Sequence, residues 1–235
     1  MGQFLHEFFS PLDFIRSTPQ VWDGFKLNIQ LMLVAEALVL VLALLLAIVR
    51  GLPGRAALPL RAAAIVYTDF FRGTPLILVL LIVQGFAQLN YVGLSSQTLF
   101  RTGLIALTLV YTAYVTEVYR AGIESVHPSQ RMAARSLGLS YMQSMRYVVL
   151  PQAIRRVIPP LLNDFIGLQK DTALVTIIGL TEAVAQAGFY SSNYLNDTAY
   201  MVAAIFFIFL TIPLARFTDW LVARDRRRQQ AGRLA

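Results

Sequence analysis

Long apolar runs, separated by short polar segments, give this chain its pattern. The first covers about residues 25–49 and is interrupted by Asn28, Gln30 and Glu36. It supplies the roughly 20 apolar residues that a bilayer-spanning helix needs. The second covers about 58–86 and contains Asp69, Arg72, Thr74 and Pro75. Pro75 predicts a kink or a restart, because proline has no N–H to donate. The third covers about 102–119 and ends in Glu117 and Arg120. Between 151 and 190 lie two apolar pieces, 157–168 and 173–188. Counting both as spans would carry the basic tail to the outer side, against the positive-inside rule. The chain therefore reads as one span at about 156–178, kinked by Pro159-Pro160, with 181–190 as an external hairpin or re-entrant piece. A fifth span, about 199–222, bends near Pro213.

Charge orients these spans. Arg50, Arg55 and Arg61 follow the first span with no acid among them, which marks that loop as cytoplasmic. The loop at 84–96 carries no charge and reads as external. The expected fold is an all-α membrane protein of about five transmembrane helices, with the N-terminus outside and the C-terminus inside. Residues 1–23 form an external segment in which Phe4, Leu5, Phe8 and Phe9 suggest a small interfacial helix. That segment lacks the basic start and apolar core of a signal peptide. Residues 24–224 form the membrane domain, and 225–235 a basic cytoplasmic tail.

The longest polar interruption, about 125–151, lies inside by this count and is dense in helix signals. Pro128 suits a first helical turn, and QRMAARSL favours helix. Gly138 can stop that helix in the left-handed conformation. Ser140 with Gln143 makes a capping box for a second helix. Leu150-Pro151 is expected to end the second and begin a third.

Ala133-Ala134, Gly138 and Leu150-Pro151 in this stretch resemble the EAA signature of permease subunits of type I ABC importers. Phe71 to Pro75 (FRGTP), Glu117 with Arg120, and Leu168 to Val175 (LQKDTALV) are similar to the polar amino acid uptake branch. The resemblance covers about 24–224. It implies that the helix at about 129–138 is a coupling helix that docks on a cytoplasmic ATPase. The residues concerned are Gln130, Arg131, Met132, Ala133, Ala134, Arg135, Ser136, Gly138 and Leu139. Met132 stands where the family carries Glu, so docking leans on Arg131, Arg135 and shape. The resemblance also implies partners: an ABC ATPase dimer carrying ATP and Mg, a second permease subunit, identical or related, and an extracytoplasmic amino-acid-binding protein. The implied location is the bacterial cytoplasmic membrane.

Composition narrows the alternatives. The 235 residues are 57% hydrophobic and 14% charged, a membrane composition. The net charge of +7 follows from cytoplasmic loops, and apolar spans separate the basic clusters, which argues against nucleic-acid binding. There is no Cys, and His6 and His127 lie far apart, so a metal site is not expected. No G-x-x-x-x-G-K-[ST] loop is present, so ATP is not bound in that way. No catalytic triad pattern appears, and the chain is read as a transport subunit, not an enzyme. A self-powered secondary transporter would use paired repeats, which this chain lacks. A membrane assembly factor would have no need of a capped helix between spans.

Ionisable residues within spans each cost on the order of 3 kcal/mol and so suggest function. With their polar neighbours, the candidates for a substrate path are Glu36, Asp69, Arg72, Thr74, Glu117, Asn163, Asp164, Gln169, Lys170 and Asp171. Mixed signs suit an amino acid, which carries both a carboxylate and an ammonium. Structural pairing is the competing reading, since Asp69–Arg72 and Glu117–Arg120 both have i,i+3 spacing. For Glu36 a bond to a neighbouring helix competes in the same way. Arg72 and Lys170 tilt the expected substrate toward glutamate, aspartate or glutamine.

Overall fold

The computed structural model describes residues 7–52, 54–90 and 95–234, with side chains except at 90 and beyond 224. Phe4, Leu5, His6, Pro53 and residues 91–94 lie outside the described residues. The α-helices bounded within the described residues are, in order, α1 Pro11–Gly51, α2 Leu58–Gly73, α3 Leu76–Asn90, α4 Ser96–Glu124, α5 Pro128–Ser136, α6 Tyr141–Ser144, α7 Leu150–Asp171, α8 Ala183–Tyr194 and α9 Thr198–Leu234. No strand occurs among the described residues.

Among the described residues, three helices are long and apolar enough to cross a membrane alone: α1, α4 and the Thr198–Arg224 part of α9. Counting each of two bent pairs as one span raises the number to five, the number expected. The first bent pair is α2 with α3, at 109°. This is sharper than a kink. Pro75 disfavours the helical region for the residue before it, and Thr74 is extended at φ −101, ψ 126. The second pair joins residues 141–178 to α8 at 52°, so that 183–194 is a separate helix packed against α1 and α9.

Two boundaries differ from the sequence reading. α1 starts at Pro11, where Ser10 Oγ accepts from the Asp13 N–H at 3.4 Å. Residues 11–23 are therefore the first turns of the spanning helix, which runs through Pro19. The second and third helices expected in the polar stretch are also one. A π turn at Met145–Val149 links α6 to α7, and the Leu150 N–H donates to Met145 O, five residues back. The wider turn accommodates Pro151, whose ring would crowd the carbonyl four residues back in a regular helix.

α1 is apolar on every side, and burial divides its faces. Ala35, Val39 and Ala43 are fully buried at four-residue spacing, packed in one cluster with Ala106, Leu107 and Val110 of α4. Small side chains let two helices approach closely without relying on hydrophobic exclusion, which lipid does not supply. Leu33, Val34, Leu38, Val41 and Leu45 face outward. A second cluster joins Val21 and Phe25 of α1 to Ala183, Ala187 and Tyr190 of α8 and to Val202 and Ala203 of α9.

Between these clusters sits the fully buried carboxylate of Glu182. It accepts from Asn28 Nδ2 at 3.0 Å and from the N–H groups of Val184 and Ala185, each at 3.0 Å. Asn28 Nδ2 also donates to Thr172 Oγ1 at 3.1 Å, and Asn28 Oδ1 accepts from the Ala183 N–H at 3.1 Å. Gly24 allows this approach, because a β-carbon there would lie 2.6 Å from the Glu182 carbonyl carbon. Gly24→Val should therefore lower stability by about 1–3 kcal/mol, read as a lower unfolding midpoint in detergent. An unchanged midpoint would contradict the close approach.

Candidate functional site

Two cavities of about 480 Å³ each lie end to end between α4 and α7. They share Arg72, Tyr114 and Asp164 in their walls. The upper one reaches Tyr111, Gly167 and Asp171 and is closed on one side by the α2–α3 bend, Gly73 to Leu76. The lower one reaches Glu117, Ala121, Ser125, Arg156 and Pro160. Their walls follow helical spacing. On α4 the stripe is Tyr111, Tyr114, Glu117 and Ala121, continued by Ser125 just past its end; from α7 it is Arg156, Pro160, Asp164, Gly167 and Asp171. Each stripe repeats every three or four residues, so each is one helix face.

In the upper cavity, Tyr111 Oη donates to Asp171 Oδ2 at 2.8 Å. Gly167 makes room for that bond, since a β-carbon there would lie 3.1 Å from Tyr111 Oη. Asp164 Oδ2 is buried and has no hydrogen-bond partner among the described residues. Glu36 Oε2, on α1, is in the same condition, and the two carboxylates lie within electrostatic reach of each other.

The lower cavity is bordered by a charge cluster. Glu117 Oε1 accepts from Arg50 Nη1, which also donates to Thr68 Oγ1 at 2.9 Å. Glu117 Oε2 accepts from Arg120 Nε at 3.0 Å and Nη2 at 2.7 Å. Arg120 Nη1 reaches Glu124 at 2.5 Å. Arg72 Nη1 stands 3.9 Å from Glu117 Oε2. The Glu117–Arg120 pair thus forms as expected. The Asp69–Arg72 pair does not: Asp69 is exposed, and the nearest acid to Arg72 is Glu117 on another helix.

Below the cavities, α5 carries well-defined caps. His127 Nδ1 accepts from the Ser129 N–H at 3.2 Å. At the other end Gly138 takes φ +87, the Leu139 N–H donates to Ala134 O at 3.2 Å, and the Gly138 N–H donates to Arg135 O at 3.0 Å. This is a Schellman termination. The capping box is complete, with Ser140 N–H to Gln143 Oε1 at 2.8 Å and Gln143 N–H to Ser140 Oγ at 3.3 Å. Ala134 is buried, whereas Gln130, Met132, Ala133, Arg135, Ser136 and Gly138 are exposed. Leu137, Tyr141 and Met142 are exposed as well, which makes an apolar patch on a polar helix pair. Val126, Val149 and Ala153 pack beneath it as a separate small core.

Comparison with known proteins gives this arrangement a family. Residues 40–227 match the family described as binding-protein-dependent transport system inner membrane component. The chain belongs to this family. It is 35% identical over 207 residues to the probable glutamine ABC transporter permease protein GlnM of Bacillus subtilis, covering 86% of this chain and 91% of that one. It is 34% identical over 210 residues to the arginine transport system permease protein ArtQ of the same organism, covering 86% and 92%. Its fold matches the crystal structure of an amino acid ABC transporter with histidines at a TM-score of 0.81 and 31% identity, covering 91% of this chain and 97% of that one. Its relatives are thus permease subunits of amino acid ABC transporters.

Within this permease fold the candidate path residues divide. Arg72, Thr74, Asn163, Asp164 and Asp171 line the upper cavity, and Glu117 the lower. Gln169 is buried elsewhere, accepting from Thr211 at 2.7 Å and donating to Phe207 O at 3.4 Å, so it fastens α7 to α9. Lys170 is exposed and lies outside both cavity walls. Tyr111, Tyr114, Arg50 and Arg156 are not among the path candidates that the sequence offers, where Arg50 enters only as a loop charge. The tyrosines could have been, since they precede Glu117 at three-residue steps on one face. Gly167→Val should displace Tyr111 from Asp171 and narrow the upper cavity. The expected result is at least about a tenfold loss of uptake with an unchanged amount of protein in the membrane, measured by transport into vesicles and by quantitative blotting.

Proposed function

We propose that this chain is the membrane-spanning subunit of an ATP-driven amino acid importer and that its two cavities are part of the path. The observation that carries this reading is the upper cavity, where Arg72 of α2 shares the wall with Asp164 and Asp171 of α7. Arg72 suits the α-carboxylate of an amino acid, and Asp164 and Asp171 suit its ammonium. With Lys170 outside the cavity walls, an acidic side chain would meet these same carboxylates unfavourably. Glutamine is therefore the best fit of the three substrates expected. The name of the glutamine permease among the relatives supports that choice.

The path opens along the face that a second permease subunit would cover, because five spans enclose little polar volume alone. The termini are proposed to lie outside and inside respectively, which puts Arg50, Arg55, Arg61 and the α5–α6 patch in the cytoplasm. There α5 docks on an ABC ATPase dimer, which binds ATP and Mg. ATP binding draws the docking helices together and turns the path outward. An extracytoplasmic binding protein then delivers the amino acid, and hydrolysis returns the path inward. Chemistry stays on the partner, and this chain works as a conduit.

The test is reconstitution of the chain with its ATPase and partner permease in vesicles. ATP-driven uptake of labelled glutamine is expected, and no ATP-driven uptake of any common amino acid would overturn the reading. A sharper expectation concerns Gly138, which sits at positive φ with nothing within 4 Å of its would-be β-carbon. Gly138→Asp strains the turn by about 1 kcal/mol and adds a charge beside the docking helix. Uptake should fall while ATP hydrolysis continues and the protein remains in the membrane. Normal uptake at normal expression would count against docking through α5.

A further inference from the structure

We propose that a third cavity, between α1 and the start of α4, holds the phosphate headgroup of an anionic phospholipid, with Arg101 as its cation. The site is separate from the two cavities between α4 and α7. On the orientation proposed above it faces the outer leaflet.

This cavity has a volume of about 290 Å³. Gln30 of α1 and Ser96, Gln97 and Arg101 of α4 form its polar wall. Leu27, Phe100 and Leu180 form the apolar remainder. No acid lines it among the described residues. Gln30, Gln97 and Arg101 are exposed, and their side chains make no hydrogen bond or ion pair among the described residues. On α1 the acid beyond the cavity, Asp23, is paired with Lys26 at 2.6 Å. Arg101 therefore keeps its donors and has no local anion. A guanidinium binds phosphate through two parallel bonds, and basic pockets between membrane helices take anionic headgroups. The two amides and the Ser96 hydroxyl add neutral donors. Arg101 lies five residues past Ser96, about 8 Å along the helix axis, which is roughly the thickness of one headgroup layer.

The surroundings of the cavity favour a lipid over a free anion. From Gln30, the exposed residues on the same face of α1 are Val34, Leu38, Val41 and Leu45. From Arg101, the next exposed residue on the same face of α4 is Ile105. Steps of three or four residues make each series one helix face. The polar cavity thus opens onto an apolar surface that runs toward the middle of both spans. A headgroup in the cavity lays its acyl chains on that surface, and a free phosphate leaves it bare. A second permease subunit on the path side does not reach it, because Arg101 precedes Glu117 by sixteen residues, about 160° around α4. A bound headgroup touches α1, α4 and the turn at Leu180, two residues before Glu182. It therefore braces from the lipid side the joint that Asn28 and Glu182 fasten from within.

The test uses the assembled transporter in neutral detergent. Native mass spectrometry counts retained lipid, and a thermal scan reads the unfolding midpoint. The probes are phosphatidylglycerol, phosphatidylcholine and inorganic phosphate. Phosphatidylglycerol is expected to bind several-fold more tightly than phosphatidylcholine and to raise the midpoint, as a ligand of the folded state does. Arg101→Gln should raise the Kd of phosphatidylglycerol about tenfold, and Arg101→Lys should raise it less. Lys26→Gln removes a charge one turn before Gln30 without altering the cavity wall, and should stay within about twofold. Equal losses from Lys26→Gln and Arg101→Gln would overturn the site in favour of diffuse surface charge. Equal retention by Arg101→Gln and the unsubstituted transporter would overturn it outright. An equal rise in the midpoint with millimolar inorganic phosphate would assign the cavity to a free anion and overturn the lipid. None of these measurements involves uptake, so this proposal and the transport reading fail independently.

Discussion

The carboxylate of Glu182 lets this bundle contain an interrupted helix. In hydrocarbon every backbone N–H needs a partner, so irregular backbone survives only when it is enclosed by protein. A 3₁₀ turn at Thr172–Ile178 follows α7 and ends at Gly179, and α8 starts at Ala183, which opens the first N–H groups of that helix. Glu182 accepts two of them and Asn28 a third. A buried carboxylate costs several kcal/mol unless it is well bonded, and here three donors surround it. Because Asn28 and Gly24 belong to α1, the same contact fixes α1 against the break. α1 in turn supports α4 through its small residues, and α4 forms one wall of the cavities. The site is thus held in place from the far side of the bundle.

Much of this was legible from the chain alone, and the reasons are local. Apolar runs must lie in lipid or in a core, so the span positions could be read directly. The polar stretch was legible because Gly138, Ser140 and Gln143 act on atoms within a few residues of themselves. What escaped depended on distance. Glu182 is intelligible only beside Asn28, which lies 154 positions away in sequence. The Asp69–Arg72 pair was inferred from spacing, but the nearest acid in space is on another helix. The break expected at Leu150-Pro151 was a correct reading of proline and a wrong reading of its consequence, because a π turn absorbed the defect.

Neighbouring residues near the end of α7 show how finely the environment divides. Gln169 points to α9, Lys170 outward and Asp171 to Tyr111 in the upper cavity. Three consecutive polar residues meet three different surroundings because each step along a helix turns by about 100°. A polar cluster in sequence is therefore not a polar cluster in space. The lining stripes are the reverse case, in which residues three and four apart form one continuous face. Family membership, which rests on similarity along most of the chain, agrees with a fold whose polar groups turn inward toward such faces.

The π turn at Met145–Val149 has a mechanical consequence. Because it joins α6 to α7 without a break, residues 141–171 form one continuous helical run that reaches from the exposed patch at Tyr141 to the cavity wall at Asp164. At 1.5 Å per residue the distance between these two points is about 35 Å. A tilt of about 5° at one end then displaces the other by about 3 Å, roughly the width of a water molecule. On the proposed function, a small push on α6 would thereby be converted, by leverage alone, into a change in the width of the cavity at Asp164.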